Sequence, residues 1–439
     1  MSLIKNLLMI FIISGILSLL LIIYSLYSLT STIQKQISIN KIVTGAGNPG
    51  KIIIYSWKDL GFTEKLIDTG FDLVHTVRIG DTDNDNKNEI IAGIGNSFFR
   101  GPYGCRVVVY KIKGDGWAED TIDNVGDLRC KDLTIGDADN DNKNEIVLGT
   151  HGEGVVTIYK WNNTKWSKTV LERNWIAKMD EIKNTSHRVP RENITYDTIV
   201  QTAVHIVKIG DVYNNNRNQV IATMSSPLES LATEISYIKV YEWNGKRWID
   251  SIVDELEDRE FRSIVVGDIY NKGKNELLVG IGSPGDRKGS VYIYDWNVSR
   301  WDKKLLYNDT NEKNMKGLTI GDVYNDGKNR IVLATGFPDG IVSIFEWNGK
   351  KFDRKIIDNI SSSFNMRGWE FNSMAAEIQD VDGDDKNEIL VSGMTTLPKK
   401  IGWEATDIGF LVVYKWNGTD WTKRVLDNRS VLGMTTGYL

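Results

Sequence analysis

The chain has 439 residues, 41% hydrophobic and 25% charged, with 40 glycines, enough to bury a large core. Its 53 lysines and arginines against 58 acids give a net charge of −5, which excludes the basic groove of a nucleic-acid binder. Two cysteines and four histidines form no zinc pattern, and neither a Gly-x-Ser-x-Gly elbow nor a phosphate loop occurs.

Residues 7–29 read LLMIFIISGILSLLLIIYSLYSL, without a charge. That length spans a bilayer as a helix and exceeds the core of a cleaved signal peptide. The expectation is a short cytoplasmic head at 1–6, a transmembrane signal-anchor at 7–29, a polar tether at 30–40, and a body at 41–439 outside the cell membrane. Eight Asn-x-Ser/Thr sequons, Asn162 and Asn417 among them, agree with an outward-facing glycoprotein.

From Lys41 the text IVTGAGNPGKIIIYSW matches the later strands of a unit that then recurs in full. Each full unit starts with a Gly-Asp or Gln-Asp loop at Asp81, Asp137, Asp211, Asp268, Asp322 or Asp380, spaced 56, 74, 57, 54 and 58 residues apart. An apolar strand precedes each loop and another follows it. A third strand ends near an aromatic residue (Trp57, Trp161, Trp243, Trp296, Trp347, Trp416), and a short turn leads to a fourth. The Asn-Gly pairs at Asn244, Asn348 and Asn417 predict hairpins in which both turn residues take positive φ. Units of this size with four short strands predict an all-β propeller. Residues 429–439 supply the first strand that the N-terminal segment lacks, so the expectation is a seven-bladed β-propeller with one blade split between the chain ends, which removes the open sheet edge.

Three loops carry carboxylates at positions 1, 3, 5 and 9: Asp81, Asp83, Asp85, Glu89; Asp137, Asp139, Asp141, Glu145; and Asp380, Asp382, Asp384, Glu388. With the position 7 carbonyls of Lys87, Lys143 and Lys386, they form oxygen-rich turns suited to a hard cation, and three Ca2+ sites are expected. The spacing is not that of an EF-hand, whose bidentate glutamate stands at position 12. The loops at Asp211, Asp268 and Asp322 have lost part of this set and are expected to be metal-free.

Six residues before each first aspartate stand His75, Lys131, His205, Arg262, Lys316 and Met374. Five of these six are basic or titratable, and in a closed ring they would meet around one mouth of the central channel. The expectation is a ligand face for an anionic partner, protein or glycan. Long connections at 173–199, 225–236, 361–373 and 394–407 reach the same face. The tryptophans are read as packing between sheets rather than as sugar platforms. Cys105 and Cys130 fall in neighbouring units, where a disulfide is possible in an oxidising compartment.

From Lys41 to Leu439 the chain resembles the FG-GAP/VCBS repeat propellers and is similar to the integrin-α N-terminal propeller. The likeness is carried by the loops Asp81–Glu89, Asp137–Glu145 and Asp380–Glu388. It departs from that pattern in using Glu at position 9 and Asn86, Asn142 and Asp385 at the position 6 normally held by glycine. The resemblance implies calcium loops and a surface adhesion or ligand-binding module. A second implied reading is a polysaccharide lyase or glycoside hydrolase on the same scaffold, though no catalytic set matches residue by residue.

Overall fold

A computed structural model describes residues 18, 20–25, 40–47, 50–58, 61–71, 73–95, 104–126, 129–152, 154–173, 202–225, 235–257, 259–282, 288–309, 311–312, 314–364, 369–396 and 408–439. Most of 7–29, the tether, and much of the long connections lie outside them. Among the described residues no helix is long and apolar enough to cross a membrane.

The body is all-β. Strands β1 (Lys41–Ala46), β2 (Gly50–Lys58) and β3 (Gly61–Phe71) form an antiparallel meander, and the same plan repeats along the chain. The next sets are β4 (Leu73–Gly80), β5 (Glu89–Gly95), β6 (Cys105–Lys113), β7 (Gly116–Asn124); and β8 (Arg129–Gly136), β9 (Glu145–Gly152), β10 (Val156–Trp161), β11 (Trp166–Glu172). Then come β12 (Thr202–Gly210), β13 (Gln219–Ser225), β14 (Ile235–Trp243), β15 (Trp248–Glu257); and β16 (Glu260–Gly267), β17 (Glu276–Gly282), β18 (Ser290–Trp296), β19 (Trp301–Asn308). The last sets are β20 (Asn314–Gly321), β21 (Arg330–Gly336), β22 (Ile341–Trp347), β23 (Phe352–Asn359); and β24 (Glu370–Gln379), β25 (Glu388–Thr396), β26 (Ile408–Trp416), β27 (Trp421–Arg429). The final strand, β28 (Val431–Gly437), pairs antiparallel with β1 from Lys41↔Gly437 to Ala46↔Val431, so the chain ends complete one sheet. Two pairs of sets run on into each other, through β9 with β12 and β21 with β24.

Burial follows strand position. The second strand is covered on both faces, and β17 and β25 are buried throughout. This explains its unbroken apolar runs, as in Ile90, Ile91 and Ala92. The fourth strand is mostly exposed, and its charged residues blunt a free edge. Between consecutive sheets lies a separate apolar core. One joins Val43 and Ile52 to Val74 and Ile90, another joins Ile91 and Val107 to Leu133 and Leu148, and the last joins Val381 and Leu411 back to Ile42 and Ile53. Each such buried Val, Leu or Ile contributes about 1.5–3 kcal/mol.

First strands pack side by side in the order β4, β8, β12, β16, β20, β24, β28, and β28 returns to β4. A glycine at the end of the first strand, before the loop aspartate in five units and before Tyr438 in β28, makes this approach possible. A Cβ on Gly80 would stand 3.1 Å from Ile135 of the next first strand, and one on Gly437 would stand 3.0 Å from Ile79.

The tryptophans pack as the sequence implies. Trp161 stacks on Trp166 at 5.2 Å, Trp296 on Trp301 at 5.1 Å and Trp416 on Trp421 at 5.4 Å, each across the hairpin between third and fourth strands. The turns themselves differ from expectation. Only the glycines take positive φ, 87° at Gly245, 92° at Gly349 and 102° at Gly418. The preceding asparagine instead accepts two amides through its side chain, as Asn244 Oδ1 does from Lys246 and Arg247 at 2.9 Å. A four-residue loop leaves room for this side-chain turn, which replaces the mirror-image backbone turn.

Candidate functional site

The acidic loops lie at one end of the ring. Each turns through two left-handed residues, at positions 4 and 6, such as Asn84 (φ 62°) and Asn86 (φ 66°), or Gly383 (φ 76°) and Asp385 (φ 64°). Asparagine and aspartate tolerate this region, so loss of glycine at position 6 leaves the turn intact. The first aspartate holds the loop closed: Asp81 accepts the amides of Asp85 and Asn86, at 3.0 and 2.9 Å. Position 9 braces it from the strand, since Glu145 Oε2 accepts the Ala138 amide at 2.9 Å and Glu388 Oε2 the Val381 amide at 3.1 Å.

Three carboxylate clusters result. Oxygens of Asp81, Asp83 and Asp85, of Asp137, Asp139 and Glu145, and of Asp380, Asp382 and Glu388 lie within 4.8 Å of one another in each set. Glu89 lies outside the first cluster; its Oε2 accepts the Thr82 amide, as Glu145 and Glu388 accept theirs, and the Thr82 hydroxyl as well. Lys87, Lys143 and Lys386 donate their backbone N–H groups to Asp85, Asp141 and Asp384.

A lysine from the third strand meets each cluster, and sequence reasoning missed it. Lys160 reaches Asp139 at 2.5 Å, Asp141 at 2.7 Å and Glu145 at 3.0 Å. Lys415 pairs with Asp382, with Asp384 at 2.8 Å and with Glu388 at 3.2 Å, and Lys111 pairs with Asp83. Burial pulls the Lys160 ammonium down, but Asp139, Asp141 and Glu145 more than reverse this and hold it above the usual lysine range. Burial also pushes Glu388 up to about 7.

Even with the lysine present, Asp83, Asp139 and Asp382 each keep Oδ1 buried without a hydrogen bond. Unused lone pairs on hard oxygens, grouped around one point, fit a divalent cation such as Ca2+. The residues that would hold it are the three clustered sets, and the ion would supply charge neutralisation and a fixed loop shape.

The other three loops carry the reverse arrangement. Position 3 is Tyr213, Tyr270 or Tyr324, and the third strand offers Glu242, Asp295 or Glu346 where the others offer lysine. Each tyrosine packs on aromatic rings of the following set: Tyr213 on Trp296 at 4.7 Å, Tyr270 on Trp347 at 4.9 Å and Tyr324 on Trp416 at 5.0 Å. In the last of these loops Arg330 pairs with Asp326 and, at 2.7 Å, with Glu346.

A second network joins all the loops. The position 8 asparagine donates to the first carbonyl of the previous loop, Asn144 to Asp81 at 2.9 Å, Asn275 to Asp211 at 3.0 Å and Asn387 to Asp322 at 3.0 Å. At the chain ends Asn40 donates to the Asp380 carbonyl at 2.8 Å and Asn88 to that of Tyr438 at 2.9 Å. Position 4 answers it, as Asn84 Oδ1 accepts the Asn144 amide at 2.7 Å. The signal was present in the repeat, where position 8 is asparagine in every copy.

The channel holds a cavity of about 1010 Å3, and His75, Lys131, His205, Arg262, Lys316 and Met374 all line it. Simple alternation would put position −6 on the same face as −4 and −2, which pack between sheets. A register shift intervenes. Val74 pairs with Ile94 and Thr76 with Gly93, leaving His75 bulged. Shifts at the same place leave out Lys131, His205, Arg262, Lys316 with Met315, and Met374. On β28 the left-out residue is Leu432. A bulge re-aims a side chain, which is how these residues reach the channel.

Charges in the cavity fall into two groups. Deeper along the first strands, Arg78 bonds Asp132 at 2.6 Å, Lys208 lies 4.0 Å from Asp132, and Glu377 accepts from Thr436 at 2.7 Å, so two cations face two carboxylates. Among the described residues, Arg129, Lys131, Arg262 and Lys316 stand at the bulged level with one acid, Glu260, which pairs with Arg262. His151 and His205 join them, the latter 2.9 Å from Ser225 Oγ. Burial, then the Arg262 charge, pushes Lys131 down to about 8, and burial with the Lys131 charge pushes His151 down to about 3. Burial also holds His75, His205 and Lys316 well below their usual ranges. Cations crowded at one level are costly alone and favour a negative guest.

Cys105 and Cys130 form a disulfide between β6 and β8, with Cα atoms 5.0 Å apart.

Strand order, ring packing and loop repeat together define an all-β, propeller-type protein. Over residues 251–394 it matches the family model described as Integrin-alpha FG-GAP repeat-containing protein 2, which supports an FG-GAP-type propeller family. No curated protein matches the chain. Among solved structures it is similar to a protein from Lactobacillus plantarum, at 10% identity and TM-score 0.53, covering 91% of this chain and 99% of that one. It is also similar to putative 6-phosphogluconolactonases from Bacteroides uniformis (9% identity, TM-score 0.51, 91% and 100% covered) and Bacteroides fragilis (10%, 0.52, 91% and 98%). At such identities the likeness concerns the fold alone.

Proposed function

We propose that the chain is a seven-bladed propeller, anchored through residues 7–29 with its body outside the cell, that works as a ligand-binding or adhesion module. The closed sequence of first-strand contacts supports seven blades, β28 taking the inner place beside β1. The disulfide supports an oxidising compartment. In this reading Ca2+ binds the loops at Asp81, Asp137 and Asp380 and stiffens one face, while the opposite mouth takes an anionic ligand.

The observation that carries the ligand reading is the ring of bulged basic residues around one cavity, His75, Lys131, His205, Arg262 and Lys316. Nothing in blade packing requires five consecutive first strands to bulge a basic or titratable group into a shared space. The test is calorimetric titration of residues 38–439 with calcium and then with phosphate and carboxylate anions. We expect three calcium sites, and anion binding that Lys131→Met together with Arg262→Met removes. A protein that melts normally and binds no anion overturns the ligand reading.

A further inference from the structure

The bulged ring is not uniformly basic, and its asymmetry constrains the guest. Passing round the first strands, His75, Lys131, His205, Arg262 and Lys316 make a continuous basic arc. The remaining two places hold Met374 and Leu432, with Met394 beside them on the cavity wall. Leu73, Met394 and Leu432 form a small apolar cluster against which Met374 packs, separate from the cores between the sheets. The two arcs meet where Lys316 Nζ stands 3.7 Å from Met374 Sδ.

We infer that the channel ligand is an amphipathic anion: a carboxylate or phosphate held by Lys131, Arg262 and Lys316, with an apolar arm laid on Met374, Met394 and Leu432. This rests on the anion-binding reading above and narrows it. The bulge is the reason the apolar arc reaches the ligand, because it turns Met374 and Leu432 to the same cavity as the lysines. Methionine and leucine offer an adaptable surface for an alkyl or aryl group. A purely polar anion, such as inorganic phosphate, would leave these two places of the ring unused.

The test compares acetate, inorganic phosphate, hexanoate and 1-hexanol on the full chain in nanodiscs of neutral lipid, with empty nanodiscs as blanks. Each buried methylene is worth roughly fourfold in affinity, so hexanoate is expected to bind at least about tenfold tighter than acetate. Met374→Gln with Leu432→Asn should remove that advantage and leave acetate and phosphate binding unchanged. Lys131→Met with Arg262→Met should remove all anion binding. Melting curves of each variant identify a misfolded protein, and in that case Met394→Gln alone serves as the second probe of the apolar arc. Equal binding of hexanoate and acetate overturns the amphipathic inference while the anion reading stands. Hexanol binding as tightly as hexanoate, or no anion binding by a folded protein, overturns both.

Discussion

Two sets of loops share one backbone and solve one problem differently. Those at Asp81, Asp137 and Asp380 concentrate carboxylates and place a third-strand lysine on them, Lys111, Lys160 or Lys415. Those at Asp211, Asp268 and Asp322 replace the central carboxylate with tyrosine and carry an acid on the third strand. In the first set the sheet brings positive charge to a negative loop. In the second, an aromatic contact with the following set takes over, and at Arg330 the sign of the pair is reversed. Loop and strand exchange their charges together in the Arg330–Glu346 pair, whereas Asp295 adds to the negative charge around Glu276. A cation in the first set would compete with a lysine that already does part of its work.

Substitutions can separate the two solutions. The largest effect is expected at Arg330, whose side chain is 4% exposed and serves Asp326 and Glu346. Arg330→Met should cost about 2–3 kcal/mol, because the buried guanidinium's charge-assisted hydrogen bonds to Asp326, Glu346 and the Lys328 carbonyl are lost together, although both carboxylates stay solvated. Denaturant unfolding should show this loss, and calcium should not restore it.

Lys160→Met should cost less in chelator, about 1–2 kcal/mol, because the lysine, Asp139 and Asp141 are partly solvated and only Glu145 is buried. Here millimolar calcium is expected to recover the loss, and melting curves with and without it read the difference. If both variants respond to calcium alike, the two sets are not different in kind.

Asn144→Ala tests the network common to both. It removes the side-chain hydrogen bond to the Asp81 carbonyl while keeping the backbone bonds to Asn84, and a loss of about 1 kcal/mol is expected in denaturant unfolding. Asn40→Ala should loosen the junction of the chain ends, read as faster amide exchange in β1 and β28.

The smallest effect concerns pH. Burial raises Glu276, whose third strand offers Asp295 in place of a lysine, to about 7. The folded state therefore holds this proton more tightly than the unfolded chain. Its contribution to stability is absent above about pH 7 and grows as pH falls toward the unfolded value near 4.5. Glu276→Gln should flatten that part of the stability profile, while Glu257→Gln, on an exposed strand end, should leave it unchanged.

Much of the architecture could be read from the chain because it is written many times. The Gly-Asp frame, the third-strand aromatics and the partial units at both ends point to one strand plan, and β28 beside β1 follows it. The carboxylate spacing likewise points to loops that draw oxygens together. The third-strand lysines were not legible, since Lys160 lies 15 residues or more from every carboxylate it meets in that loop. The asparagine network was visible as a repeated letter, but its partner is the loop of another unit.

By itself the sequence determined the strand plan, the loop turns and the identity of the basic ring, because each depends on a local pattern that recurs at one offset. Tertiary structure alone decided where that ring points. A bulge in each first strand breaks the alternation that would have hidden His75, Lys131, His205, Arg262 and Lys316 between sheets. It also set the basic arc against Met374 and Leu432 across one cavity, a contact that exists only when the first and last strands of the chain stand in the same ring.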